Sequence, residues 1–521
     1  MLPAQPLPVL AAASSDGTLA ERVQPRTIMW GRVVRILVGA LLAVAMFRAA
    51  MFVVYAALAV ASPDRPFYAE GANVHLAWRV EHGLPLYPDE NVYPYTQNYM
   101  GPAYYVVLGL VGRWLDADIP GLFLLGRLLT VASGLALAAM VYVYLVRRLC
   151  PIAAAIGGLL VLGSCPMIGY GVMVRPDAFA DLLGFAGFLL AGSAGSLGLC
   201  AGAVLLALAC LTKQTAGVYA LAAIAALLTA SPPARRRAAL LAAATAAVAL
   251  ALIIAGYLAG ETRLLAGLLS QGQVGFSARQ FAAILLRLNE RSPELLWFAI
   301  VGLGLWLGRR WHNLPMAILT LSALAVGLAT VAKKGSDLNY FFSLRAIAAI
   351  GAATLCEAVL HGAVSSRRTA ALVLISLAIA APSLLAVGRV SAEQIEAAAR
   401  LQLPSGQKQL AAQAEAIRMA CDWQHPILTD CDSLGVYQAT DAPLLDPYLF
   451  RLRVQAGKLV PASLTERIDR RHFAALILSA DPAVDYPDTL VWKLPPTVAA
   501  SIATHYRFER YLGPWFVYVP R

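Results

Sequence analysis

From residue 33 to residue 388 the chain alternates long apolar runs with short polar breaks. Eleven runs stand out, at about 33–61, 122–146, 151–171, 177–194, 197–212, 215–231, 238–259, 293–309, 315–332, 344–363 and 370–388. A straight bilayer crossing needs about 20 apolar residues, so the longer runs read as transmembrane helices and the shorter ones as crossings that end in polar sequence. One apolar stretch, residues 101–115, is too short to span. It reads as an interfacial helix inside a long loop, 62–121, with Tyr104, Tyr105 and Trp114 at the headgroup level. The other breaks on that side are 172–176, a tight turn at 213–214, an amphipathic loop at 260–292 closing on the helix start Ser292-Pro293-Glu294, and 333–343. Beyond Arg389 the hydropathy falls. Residues 390–521 mix helical periodicity, from Ala392 to Ala420, with strand-like runs at Pro426–Thr429, Ala474–Leu478 and Trp515–Val519. The expected architecture is an α-helical polytopic membrane protein with about 11 transmembrane helices. It has a tail at 1–32, a transmembrane body at 33–389 and a small α/β domain at 390–521.

Composition agrees with that picture. The 521 residues are 59% hydrophobic and 14% charged, with a mean hydropathy of +0.66, which is more apolar sequence than a soluble core absorbs. The first apolar run is too long for a cleaved signal and reads as a retained first helix. A net charge of +11 would fit nucleic acid, but the arginines gather at the ends of apolar runs, so no nucleic-acid partner is expected. Arg22, Arg26, Arg32 and Arg35 precede the first run. Arg147-Arg148, Arg235-Arg236-Arg237, Arg309-Arg310 and Arg367-Arg368 follow the second, sixth, eighth and tenth. With 101–115 left out, every one of these clusters falls on one side, which the positive-inside rule makes cytoplasmic. The N-terminus is then inside and the C-terminal domain outside. Cys150, Cys165, Cys200, Cys210 and Cys356 lie in or beside apolar runs and read as small hydrophobes. Cys421 and Cys431 lie in polar sequence, where an oxidising compartment would permit a disulfide.

The chemistry sits in the breaks. Lys333-Lys334-Gly335-Ser336-Asp337-Leu338-Asn339-Tyr340 puts two ammonium groups and an Asp/Asn/Tyr set between two apolar runs. Two lysines on the outer side defy the orientation bias, which favours a phosphate headgroup whose lipid tail stays in the bilayer. Lys213-Gln214 interrupts an otherwise apolar stretch, and a charge inside a span costs at least ~2.5 kcal/mol, so it is a functional candidate. Arg175-Pro176-Asp177 joins two runs; Asp177 can cap the next helix, and Arg175 pairs with Asp177, with Asp181 or with an anionic ligand. Glu70 lies beside aromatics in Phe67-Tyr68-Ala69-Glu70-Gly71 and is either a base at the membrane surface or a solvated loop acid. His75 and His82 share a helix face and read as a surface pair, short of a metal site. No P-loop, GxGxxG or GxSxG motif accompanies these groups. A transporter or flippase of lipid-linked sugars is the alternative class, since polar residues within spans also mark transport paths.

The ordered motifs resemble a known group, the GT-C-fold glycosyltransferases of the family 39 / protein-mannosyltransferase-like class, near the bacterial lipopolysaccharide-core Rgt and aminoarabinose transferases. The matching residues are Glu70, Gly83-Leu84-Pro85-Leu86-Tyr87, Tyr99-Met100-Gly101-Pro102-Ala103-Tyr104-Tyr105, Gly126-Arg127-Leu128, Arg175-Pro176-Asp177, Leu211-Thr212-Lys213-Gln214 and Lys334 to Phe341. They cover about residues 30–390. Members of the group commonly carry an Asp-Glu pair in the first outer loop; here Ala69 precedes Glu70. The resemblance implies inverting transfer of a sugar from a polyprenyl-phosphate donor to an envelope glycan, lipid or protein on the outer face of a bacterial inner membrane. In that reading Glu70 is the base, with Asp64 or Asp89 as alternatives. Lys213, Lys333, Lys334 and Arg175 hold the phosphate, and Asp177, Gln214, Asn339 and Tyr340 complete the donor site. No cofactor and no metal is called for.

Overall fold

The computed structural model describes residues 25–61, 70–193, 195–270, 275–308, 313–334, 336–361, 374–376, 378, 404–422, 424–441, 444, 446–484 and 493–521. Within these, fifteen helices precede the C-terminal α/β unit. They are α1 (Pro25–Val60), α2 (Glu70–Glu81), α3 (Ala103–Leu115), α4 (Ile119–Val146), α5 (Pro151–Leu162), α6 (Cys165–Tyr170), α7 (Asp177–Ala191), α8 (Ser196–Cys210), α9 (Gly217–Leu228), α10 (Pro232–Leu258), α11 (Leu264–Ser270), α12 (Ala278–Arg291), α13 (Pro293–Leu307), α14 (Leu314–Val331) and α15 (Phe342–His361).

Local sequence explains several starts. Asp118 caps α4 by accepting from Gly121 N at 2.8 Å, and Asn313 caps α14 from Met316 N at 3.4 Å, each with a proline in the first turn. Gly83 ends α2 at φ 68°, with Leu84 N bonded to Arg79 O at 2.8 Å and Gly83 N to Val80 O at 3.1 Å, the paired closure that favours glycine.

Among the described residues, five helices are long and apolar enough to cross a membrane: Arg35–Val60, α4, α10, α14 and Leu338–His361. α5, α8, Gln214–Leu228 and α13 are apolar but shorter, at 10–17 residues. The eleventh expected span, 370–388, lies almost wholly outside the described residues. The expected third span is not continuous: α5 stops at Leu162 and α6 starts at Cys165. Arg48 of α1 presses on this break, donating to Gly163 O at 2.6 Å while pairing with Glu294 at 2.8 Å. The central helix is α15, rich in alanine and buried along most of its length. Gly351 of α15 faces Gly302 of α13 so closely that a Cβ on Gly302 would lie 2.8 Å from the Gly351 Cα. Small residues bring two helix backbones together there.

After residue 404 a helix, Pro404–Cys421, leads into a four-stranded sheet of order β1-β2-β4-β3. β1 (Ile427–Thr429) runs parallel to β2 (Ala475–Leu478), while β4 (Trp515–Pro520) is antiparallel to both β2 and β3 (Tyr506–Leu512). This unit sits on the long first loop. Tyr95 enters its core against Phe450, with the Tyr95 hydroxyl 2.7 Å from Ser463 Oγ. Arg453 pairs with Glu90, and the Arg467 guanidinium lies 4.0 Å from the Tyr93 ring. Cys421 and Cys431 are both unpaired.

Candidate active site

The polar breaks converge at one end of the helix bundle. α8 ends at Cys210, and the backbone turns extended at Lys213 (φ −150°, ψ 124°) before α9 begins. The carbonyl of Leu211, past the end of the helix, is taken by Ala103 N at 3.1 Å, and the Gln214 amide donates to Tyr99 O at 2.9 Å. The first loop therefore closes the break that carries Lys213, which satisfies backbone groups a membrane helix cannot leave open.

Asp177 is the hub. At the start of α7, one carboxylate oxygen receives Lys213 Nζ and Asn339 Nδ2 (3.1 Å for the latter), and the other receives Arg175 Nε at 3.2 Å. Lys213 Nζ also lies 4.9 Å from the Tyr340 ring, and the Arg175 guanidinium 4.9 Å from the Tyr170 ring. The Tyr170 hydroxyl donates to Asp337 at 2.6 Å, and Arg287 approaches the same carboxylate at 3.7 Å. Asp337 is 44% exposed, whereas the Asp177 side chain is 1% exposed. One turn along α7, Asp181 meets Arg345, Tyr219 and Ser343 in a second buried layer.

Lys333 faces the hub without an acidic partner among the described residues. A backbone bridge to Phe276 fixes its direction, and burial with Lys213 nearby pushes its ammonium pKa down to about 8. Lys334 is exposed; its backbone N–H donates to Gly275 O at 3.0 Å. Four cations, Arg175, Lys213, Arg287 and Lys333, thus gather around two carboxylates, Asp177 and Asp337, which leaves a surplus of positive charge for an anion.

Glu70 lies behind this cluster and is fully buried. Arg127 donates to both of its oxygens, at 3.1 and 2.7 Å, and Val174 N donates at 2.7 Å. It thereby fixes the residue next to Arg175. Asp89 stands in the first loop, paired with Arg263 at 2.5 Å and accepting from Asn91 N, away from the hub. Asp64 lies outside the described residues. His75 is a correction: it is fully buried, its ring nitrogens have no hydrogen-bond partner among the described residues, and only His82 is exposed. α2 packs on α3 and under the C-terminal unit, so the face the histidines share is covered at His75.

The structure brings Arg175, Asp177, Lys213, Asn339 and Tyr340 together and places Gln214 and Lys333 beside them. Arg127, Tyr170 and Arg345 join the site without a role assigned from sequence, and Asp337, part of the Asp/Asn/Tyr set, joins it as a second carboxylate. Arg127 and Arg345 are charges inside apolar runs, the same signal that singled out Lys213. Among the described residues one other group has metal-ligand character, Cys150, Glu357 and His361. Glu357 accepts from Cys150 N at 2.8 Å and lies 3.0 Å from His361 Nδ1, contacts that explain their proximity without an ion.

No protein-family model matches the sequence, and no curated protein matches it. Solved structures place the chain in the GT-C fold class. ArnT from Cupriavidus metallidurans in the apo state superposes with a TM-score of 0.54 at 15% identity, over 90% of this chain and 97% of that one. The same protein bound to undecaprenyl phosphate gives 0.54 at 14% identity, over 91% and 97%. The Archaeoglobus fulgidus oligosaccharyltransferase in complex with Zn and sulfate matches at 0.47 and 14% identity, over 89% and 72%.

Proposed function

We propose that this chain is an integral-membrane, inverting glycosyltransferase that moves a sugar from a polyprenyl-phosphate donor to a glycan, lipid or protein of the cell envelope. The observation that carries the reading is the surplus of cations around Asp177 and Asp337, at the end of a bundle made of apolar helices. The GT-C fold supports it, as does the undecaprenyl phosphate bound in the ArnT structure. In this reading the polar end faces the periplasm of a bacterial inner membrane, the N-terminus is cytoplasmic and residues 390–521 form a periplasmic domain.

The roles follow from the chemistry. The acceptor oxygen attacks the anomeric carbon, the bond from that carbon to the phosphate oxygen breaks, and the acceptor proton passes to a carboxylate. Lys213, Lys333 and Arg175 stabilise the charge that grows on the departing lipid phosphate, and Asn339, Tyr340 and Gln214 orient it. Lys334, on the exposed side, guides the headgroup in. Asp337 is the reachable carboxylate of the cluster and accepts the proton. Glu70 acts as a positioning residue, because Arg127 and the Val174 amide occupy its oxygens.

The test uses the purified full chain with a labelled polyprenyl-phosphate sugar and envelope acceptors, reading release of polyprenyl phosphate. Asp337→Asn should lower kcat by about 10²–10⁴-fold and leave donor affinity near normal. Glu70→Gln should instead lower thermal stability, by about 3–5 kcal/mol, because it strands the buried Arg127 charge. A Glu70→Gln protein of normal stability and donor affinity but no turnover returns the base role to Glu70. Transport of the donor across vesicles without release identifies a flippase instead.

A further inference from the structure

At the opposite end of the bundle lies a cavity of about 780 Å³, bounded by the ends of α4, α7 and α9, the starts of α10 and α14, and by α13 and α15. Its wall is mainly apolar, with Phe188, Trp306 and Met316 prominent, and contains no aspartate or glutamate among the described residues. Two guanidiniums stand at its edge. Arg148 stacks 4.1 Å from the Tyr144 ring and donates to Tyr144 O at 2.9 Å. Arg237 donates to Ser193 O. Both are held by neutral groups, and neither has an acidic partner among the described residues. Arg147, Arg235 and Arg236 add charge outside the rim.

Position separates this cavity from the polar cluster. Tyr144 follows Arg127 by seventeen residues on α4, which at ~1.5 Å per residue places it about 25 Å from the Glu70 pair. A phosphate held at Arg148 and Arg237 is therefore far from the Glu70–Arg127 end of the bundle. A half-open, mainly apolar space of this size accepts one part of a ligand, and fixed cations at its mouth select a phosphate. Guanidiniums do so bidentately, and basic pockets between transmembrane helices hold anionic headgroups in this way.

We infer that the cavity is a binding site for an anionic diacyl phospholipid of the phosphatidylglycerol kind. The phosphate sits on Arg148 and Arg237, and an acyl chain enters between α4, α9 and α14 beside Trp306. The proposal is independent of the reaction at the other end, and its readout needs no turnover.

Trp306 supplies the probe, since bromine on an acyl chain quenches indole fluorescence only at close range. The full chain in detergent is titrated with phosphatidylglycerol and with phosphatidylcholine, each brominated in the acyl chain, using unbrominated lipid as control. Nine tryptophans contribute to the fluorescence, and the expected result is a saturable component of quenching by the brominated phosphatidylglycerol that Trp306→Phe removes, leaving the non-saturating background of the others. Affinity should be about tenfold weaker for phosphatidylcholine, and about tenfold weaker for phosphatidylglycerol in the double variant Arg148→Gln/Arg237→Gln. Both arginines lie at the rim, so the double variant tests recognition without opening the core; an unchanged melting temperature confirms that. Phosphatidylcholine carries the same phosphate beside a compensating cation, so equal quenching by the two lipids overturns the selection of an anionic headgroup. A saturable component retained in full in Trp306→Phe overturns the location. Displacement by polyprenyl phosphate at lower concentration than by phosphatidylglycerol overturns the assigned ligand.

Discussion

Lys333 carries a charge that no acid among the described residues neutralises. Its ammonium, pushed down to about 8 by burial beside Lys213, is still mostly protonated at pH 7 and is losing its proton by pH 9. In the proposed reading a lipid phosphate binds the protonated form, so its affinity should fall as pH rises through about 8, by roughly tenfold per unit beyond it. Calorimetric titration with polyprenyl phosphate at pH 7, 8 and 9 reads this directly. Lys333→Met should bind more weakly at pH 7 and show a flat profile over the range. A wild-type affinity that holds constant to pH 9 assigns the phosphate to Lys213 and Arg175 alone. At this scale sequence was informative about which strings matter and silent about direction. Lys333 and Lys334 are equivalent in the sequence, and only the bridge between Phe276 and Lys333 turns one inward and leaves the other exposed. Glu70 stood out as an acid near a membrane surface, but its partner lies 57 residues away on α4, and that pairing is what fixes its role.

Among the elements, apolar runs were legible because membrane helices need length and hydrophobicity and little else. The expected short helix at 101–115 matches α3, Ala103–Leu115, and three of the four strands coincide with strand-like runs; β3, with its exposed charged face, gave no such run. Breaks were less legible, because what stabilises a break comes from elsewhere in the chain. Gly101 shows this. A Cβ there would stand 1.9 Å from the Leu211 carbonyl oxygen, the atom that also receives Ala103 N. Gly101→Ala must push the first loop off the Lys213 turn. We expect a clear loss of thermal stability together with weaker binding of lipid phosphate. Gly39→Ala, whose Cβ meets nothing within 4 Å, should show neither loss. Measuring melting temperature and affinity on both variants checks the claim, and a Gly101→Ala protein with normal affinity would separate loop packing from the cation cluster.

The whole molecule joins its two parts through carboxylates of the C-terminal unit. Tyr99 donates to Asp446 at 3.3 Å, and Asp432 receives Ala72 N at 3.4 Å, at the start of α2. Burial, with Asp446 and Glu70 as neighbours, pushes Asp432 up to about 7, and burial does the same to Asp430. The sign follows from the proton count. Between about pH 4 and 7 the folded unit holds these protons and the unfolded chain does not, so stability falls as pH rises through that window. Limited proteolysis of the C-terminal unit should therefore accelerate from pH 5 to pH 8. Asp432→Asn keeps the acceptor oxygen and loses the titration, so its proteolysis should depend less on pH. Equal pH dependence in both proteins would rule out Asp432 as a source. Nothing in the local sequence around Asp432 or α2 announces this contact, because it joins segments some 360 residues apart.

That span has a consequence for how the protein is made. Gly71 lies so close to the backbone of Asp432 that a Cβ would meet its carbonyl oxygen at 2.2 Å. Ribosomes deliver α2 early and Asp432 late, after every helix from α3 to α15 has left the tunnel. Throughout translation the growing chain sits in the bilayer with the start of α2 bare and the Glu70 end of the bundle unroofed. The last hundred residues therefore act as a clasp, and a chain released early by the ribosome announces itself to the cell's proteases by that missing lid.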